Sequence, residues 1–212
     1  MSKTSPLWSE LPTEASSELK ILITGTGGFI GFHVARALMA EGHEVVGVDN
    51  FNDYYPSILK RRRAEILAKN TNFQNVEMDL KEHDKFLDVV KGERIEGMIH
   101  LAAQAGVRYS LTNPFAYEQA NLHGFLSVLE AARHAELPRL VYASSSSVYG
   151  GNTKLPFSET DPVEKPISLY AATKRANELM AHTYTHLYGF KTVGLRFFTV
   201  YGPCGRPDKA MR

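Results

Sequence analysis

The sequence predicts an α/β protein built on a doubly wound parallel sheet, and two observations carry that expectation. From residue 20 onward, short apolar runs alternate with longer segments of helical period, the pattern of successive βαβ units. The first run stops at a glycine cluster, GTGGFIG (25–31), where a strand must turn sharply into a helix. Composition sets the outer limits. Hydrophobic residues make up 43% of the 212, enough for an ordinary core and too many for global disorder. Lys and Arg number 24 against 23 Asp and Glu, so nucleic-acid binding through bulk charge is excluded. The single cysteine, Cys204, allows neither an intrachain disulfide nor a cysteine zinc cluster, which favours a reducing compartment. No apolar run reaches the ~18 residues of a membrane span, and the first 19 residues lack a signal-peptide core. The expectation is a cytoplasmic chain with no membrane contact.

Residues 1–19 carry Ser, Thr, Pro and Glu without period, and are expected to form a disordered leader. Strands are expected at 20–24, 44–49, 73–78, 97–101, 139–144 and 191–198, each a short run rich in Val, Ile, Leu or Phe. Helices are expected at 29–41, 55–69, 83–90, 114–134 and 169–188. The basic run Lys60-Arg61-Arg62-Arg63 reads as the solvated face of the second helix rather than a nucleic-acid patch.

The glycine cluster has GxxGxxG spacing. Gly25 suits the tight turn, Gly28 lets the backbone approach a diphosphate, and Gly31 lets the helix pack on the strand. Gly27 adds a further glycine, and Phe29 and Ile30 open the helix whose N-terminal N–H groups would face the phosphates. Asp49 ends the second strand 18 residues after Gly31, placed to accept hydrogen bonds from the adenosine ribose. Its neighbours Asn50 and Phe51 are not cationic, so NAD is expected rather than NADP. Asp79 and Leu80, after the third strand, would lie near the adenine. Leu101, Ala102 and Ala103, after the fourth, would flank the cofactor. This is a Rossmann-type site for a dinucleotide.

The chemistry is expected on the last two strands and the helix between them. Tyr170 and Lys174 form a YxxxK pair, one turn apart on one helix face. A lysine ammonium and an oxidised nicotinamide, both positive, favour the phenolate, which makes Tyr170 a base for a sugar hydroxyl. The fifth strand runs into Ser144-Ser145-Ser146-Ser147, hydroxyls at the carboxyl end of a parallel strand, where ligands bind.

Several segments together resemble the extended short-chain dehydrogenase/reductases, and among them the nucleotide-sugar epimerases, closest to the UDP-glucuronate 4-epimerases. They are ITGTGGFIGFHVA (23–35), VVGVDNFNDYY (45–55), HLAAQAGVRYS (100–110), ASSSSVYGGNTKLPFSE (143–159), SLYAATKRANELMAHTYTHLYG (168–189) and LRFFTVYGPCGRPD (195–208). The resemblance implies that Ser145 assists Tyr170 and that Lys174 orients the nicotinamide ribose. It implies a transient oxidation at C4 of a UDP-sugar, rotation of the keto intermediate, and return of the hydride to its other face, with NAD regenerated in each cycle. Relatives that dehydrate or decarboxylate carry Asp or Glu just before VYG. Here Ser145, Ser146 and Ser147 stand there, which favours simple epimerisation. With Thr199, where many relatives acting on neutral sugars have Asn, they offer hydroxyl donors to a sugar carboxylate. Arg108 and Arg206 are further candidates for that carboxylate or for the diphosphate.

Epimerisation of UDP-glucuronate to UDP-galacturonate is therefore the leading expectation. A 4-epimerase of a neutral UDP-hexose, or a non-catalytic NAD-binding protein, are the alternatives. The resemblance also implies a homodimer through the helices at 114–134 and 169–188. Family members continue into a smaller substrate domain after the GRPD motif. Residues 20–202 are thus expected to form the cofactor domain and 203–212 the start of a substrate domain that is largely missing. Such a chain should bind NAD without robust turnover on its own. No metal is expected: His182 and His186 lie four apart but have no third ligand nearby in sequence.

Overall fold

The computed structural model describes residues 18–205. Most of the expected leader (1–17), as well as Arg206, lies outside that range. Six strands, β1 (Lys20–Thr24), β2 (Glu44–Asp49), β3 (Phe73–Glu77), β4 (Gly97–His100), β5 (Arg139–Ser145) and β6 (Lys191–Phe197), form one parallel sheet in the order β3-β2-β1-β4-β5-β6. The chain builds outward from β1 through β2 to β3. It then crosses back to β4 and builds the other way. The order reverses between β1 and β4, which opens a crevice at their carboxyl ends.

Strand periodicity explains how the core divides. Ile21, Ile23 and Val45 point to one face and pack on Phe32, Ala35 and Met39 of α1 (Phe29–Ala40) and Leu67 of α2 (Ser57–Leu67). Leu22, Val46 and Val48 point to the other. There they meet Phe86 and Val90 of α3 (His83–Gly92) and Phe125, Val128 and Leu129 of α6 (Gly124–His134). Both faces of the central strands are thus covered, which is why those strands read as continuous apolar runs rather than alternating ones.

Two expectations about helices need correction. The expected helix over 114–134 is not continuous. It comprises α5 (Pro114–Tyr117), a π-helical segment Glu118–His123, and α6, and it is preceded by a short α4 (Tyr109–Thr112). A π segment inside a helix often accompanies a functional side chain, and here it carries Asn121. The basic run of α2 is also not a solvated face. Lys60, Arg63 and Leu67 are the buried residues of α2, at i, i+3 and i+7, while Arg61 and Arg62 pair outside with Glu77 and Glu65. The last helix, α7 (Leu169–Tyr188), follows expectation and ends at Gly189 with φ +79, the left-handed stop that glycine tolerates.

β6 forms one edge of the sheet, and Val193, Leu195, Phe198 and Tyr201 along and after it are exposed. Among the described residues no helix is long and apolar enough to cross a membrane.

Candidate active site

A cavity of about 690 Å³ opens at the crevice between β1 and β4 and runs along the carboxyl ends of β4, β5 and β6, within the size range of small-molecule and cofactor sites. Its floor at one end is the glycine loop. Gly25 has φ +83, and a Cβ there would lie 2.7 Å from the Ala102 nitrogen; a Cβ at Gly31 would lie 2.2 Å from the Gly25 oxygen. Neither position admits a side chain, because strand, turn and helix meet there backbone to backbone. α1 begins at Phe29 with Gly28 as its N-cap and no capping side chain. Its first N–H groups therefore remain available at the cavity, which fits a diphosphate. Gly25, Gly28, Phe29, Ile30 and Gly31 all line the cavity.

Gly27 does not. Its N–H donates to Asp49 Oδ2 (3.0 Å) and its carbonyl accepts from Arg63 Nη1 (2.8 Å), so the expected ligand-facing glycine instead braces the loop from behind. Asp49 accepts a second bond from the Phe51 N–H (2.8 Å) and still lines the cavity. Burial pushes its carboxyl above the ordinary value. The hydrogen bonds from Phe51 and Gly27 and the charges of Lys60 and Arg63 oppose that shift. Asn50 donates to Asp79 (3.0 Å), and both line the cavity with Leu80, Leu101, Ala102 and Ala103. Lys60 also reaches the lining and donates to Asn52 O (2.9 Å) and Oδ1 (2.5 Å). The sequence neighbours of Asp49 gave no hint of this cation. The spacing of Lys60 and Arg63 on the same helix stripe as Leu67 would have.

At the other end stand the hydroxyls. Ser145 closes β5 and caps a 3-10 turn (Ser146–Tyr149), its Oγ accepting from the Ser147 N–H at 3.2 Å. Tyr170 lies in the first turn of α7, whose N-cap Ser168 accepts from the Ala171 N–H (3.1 Å). One turn on, Lys174 is 2% exposed and donates to the Ala143 carbonyl at 2.9 Å. Burial lowers its pKa from 10.5 to about 8, which leaves it largely protonated at pH 7. Ser144 to Ser147, Tyr170, Lys174 and Thr199 all line the cavity. Glu178, a further turn along α7, accepts from Ser144 Oγ (2.6 Å) and from Arg175 and Arg196. α7 is thereby anchored to β5 and β6 beside Tyr170 and Lys174. Arg108 is exposed and does not belong to the lining, although its neighbour Val107 does.

Two supporting residues escaped the sequence reading. Asn121, in the π segment, accepts from Gln104 N (2.8 Å) and donates to Gln104 O (3.1 Å) and Thr173 Oγ1 (3.0 Å). It ties the chain after β4 to the Tyr170 helix. Thr24 Oγ1 accepts from the Leu101 and Ala102 N–H groups and so donates to His100 Nδ1 at 2.8 Å. Burial, reinforced by the Lys174 charge, lowers the His100 pKa from 6.5 to about 3. The unfolded chain thus binds one more proton here than the folded one between those values, and stability should fall as pH drops from 6.5 toward 3. In His100→Gln, which keeps an acceptor for Thr24 but cannot titrate, urea midpoints measured from pH 7 to pH 4 should decline less steeply. Parallel declines would place the acid sensitivity elsewhere.

A family profile described as NAD dependent epimerase/dehydratase family matches residues 21–212. The chain belongs to that family. Among members of the epimerase/dehydratase family, UDP-glucuronate 4-epimerase 4 of Arabidopsis thaliana is 49% identical over 203 residues, 95% of this chain and 46% of that one. A probable UDP-glucuronate 4-epimerase of Rhizobium meliloti is 52% identical over 193 residues, 91% of this chain and 57% of that one. In three dimensions the chain is similar to the UDP-glucuronic acid 4-epimerase from Bacillus cereus, solved in complex with UDP-glucuronic acid and NAD. The TM-score is 0.83 at 38% identity, covering 91% of this chain and 60% of that one. The chain thus spans about half to three fifths of the length of these relatives.

Proposed function

We propose that this protein serves the NAD-dependent 4-epimerisation of a UDP-sugar, with UDP-glucuronate and UDP-galacturonate as the interconverted pair. One observation carries the choice of sugar. Among the described residues the cavity lining contains two carboxylates, Asp49 and Asp79, and both belong to its cofactor end. Beside Tyr170 and the Lys174 ammonium, the catalytic end offers hydroxyls from Ser145, Ser146, Ser147 and Thr199 and no carboxylate among the described residues. An anionic sugar would meet hydrogen-bond donors there and no like charge.

The residues divide the work as follows. The open N–H groups of α1 and the glycine loop hold the diphosphate of NAD, and Asp49 accepts from its adenosine ribose. NAD, when bound, supplies a reversible acceptor for the C4 hydride. Tyr170 removes the proton from the sugar O4 and returns it after the 4-keto sugar has turned, with the Ser145 hydroxyl beside that oxygen. The Lys174 ammonium, one turn away, favours the phenolate and orients the nicotinamide ribose. Hydroxyls of Ser146, Ser147 and Thr199 donate to the C5 carboxylate. Arg206 is a further candidate for the anionic groups of the substrate. Exposed Leu126 on α6 and Leu179 on α7 support a homodimer through those helices.

The deciding assay offers UDP-glucuronate and UDP-glucose to the full-length gene product and its Thr199→Ala variant. Loss of a donor to a charged group should cost on the order of 1.5–3 kcal/mol in transition-state binding for UDP-glucuronate and much less for UDP-glucose. Equal losses on both sugars would remove the carboxylate role and favour a neutral hexose.

A further inference from the structure

We propose that Arg63 is a latch that holds the 201–205 segment across the phosphate end of the cavity and so sets how slowly NAD leaves. The inference rests on the NAD reading above and concerns a residue outside the cavity lining.

Arg63 is 4% exposed, and its guanidinium joins three parts of the chain. Nη1 donates to the Gly27 carbonyl and to the Tyr55 hydroxyl, each at 2.8 Å, and Nη2 donates to the Cys204 carbonyl at 2.7 Å. The last acceptor lies 141 residues away in sequence. A planar group with donors fixed in several directions can serve three such acceptors at once; a lysine ammonium on its flexible stem is a poorer match.

The segment it holds passes over the start of α1. Tyr201, Gly202 and Gly205 line the same cavity as Gly28 and Phe29. A Cβ at Gly202 would sit 3.4 Å from the Phe29 ring. A second clamp lies outside: His33 Nε2 donates to the Pro203 carbonyl at 2.8 Å. Cys204 itself holds a left-handed backbone, φ +62, which is unfavourable for a residue with a side chain. The turn therefore needs external bonds to persist, and Arg63 supplies the buried one. A diphosphate seated on the α1 N-terminus would lie between glycine loop and strap. It could leave only after the bonds to Cys204 and Pro203 part. The same guanidinium fixes the Gly27 carbonyl, so loop and strap are held as one unit.

The test loads the 212-residue chain with radiolabelled NAD, chases with excess unlabelled NAD, and follows release alongside thermal melting. Arg63→Gln should speed release roughly tenfold or more, as expected for loss of a charge-assisted hydrogen bond. Arg63→Lys should fall between it and wild type. His33→Ala, which removes the outer clamp at a half-buried position together with the ring's edge contacts to Phe29 and Phe32, should speed release to a smaller extent than Arg63→Gln. Hydrogen exchange at residues 201–205 should rise in both Arg63→Gln and His33→Ala. If Arg63→Gln does not fold, His33→Ala decides: faster release supports the strap, and an unchanged rate overturns it. Release at the wild-type rate in folded Arg63→Gln overturns the latch while leaving NAD binding intact. A wild-type chain that captures no label at all refutes the NAD reading itself, and the latch with it.

Discussion

Tyr170→Phe should retain NAD and lose at least ~100-fold in epimerase turnover, the contribution expected of a general base. The ring contributes to packing: Tyr117 lies edge-on to Tyr170 with centroids 6.1 Å apart, and phenylalanine keeps that contact. α7 is anchored independently through Ser168, Lys174 and Glu178, so its position should not change. The hydroxyl goes and the ring contact stays. The measurement is turnover of UDP-glucuronate by the full-length gene product, with bound NAD quantified after denaturation. Turnover near wild type with NAD still bound would reject Tyr170 as the base; loss of NAD would show that the hydroxyl serves the cofactor instead.

Lys174→Met should cost a similar factor in turnover and yet fold at least as stably at pH 7. The buried ammonium is the reason. With the folded pKa lowered to about 8 from 10.5, the charged form is disfavoured by roughly 3 kcal/mol at the ~1.4 kcal/mol of one pKa unit. The cost is complete below about pH 8. It is relieved as pH rises toward 10.5, because there the unfolded chain holds a proton that the folded chain has released. Methionine removes the cost but leaves the Ala143 carbonyl without its donor, a penalty of about 1–3 kcal/mol. The net change at pH 7 is zero to modestly stabilising. Denaturation at pH 7 and pH 10 separates the effects: the variant's advantage should shrink at the higher pH. A variant markedly less stable than wild type at pH 7 would show that Lys174 is held for structure rather than for chemistry.

Much of this molecule was legible before folding was considered. The six strands and the alternation that makes them parallel follow from apolar runs and helical period. Gly25 and Gly31 follow from steric demands within seven residues, and Tyr170 and Lys174 from a one-turn spacing. Each of these signals acts over a short stretch of chain, so neighbouring residues carry it in full. The Ser144–Ser147 run needed only its position at the end of a strand.

Other features came from contacts between distant segments. Gly27 turns away from the cavity because Asp49 and Arg63 take its backbone groups from two other elements. The helix expected at 114–134 breaks into a π segment where Asn121 bridges Gln104 and Thr173. Lys60 and Arg63 are buried because sheet order sets α2 beside the glycine loop, and the same order brings Cys204 to Arg63. Period and glycine sterics were determined by the sequence alone, because they require no knowledge of which elements become neighbours. The roles of Gly27, Arg63 and Asn121 were decided by tertiary structure, since a hydrogen bond spanning 36, 141 or 52 residues exists only once the sheet has chosen its strand order.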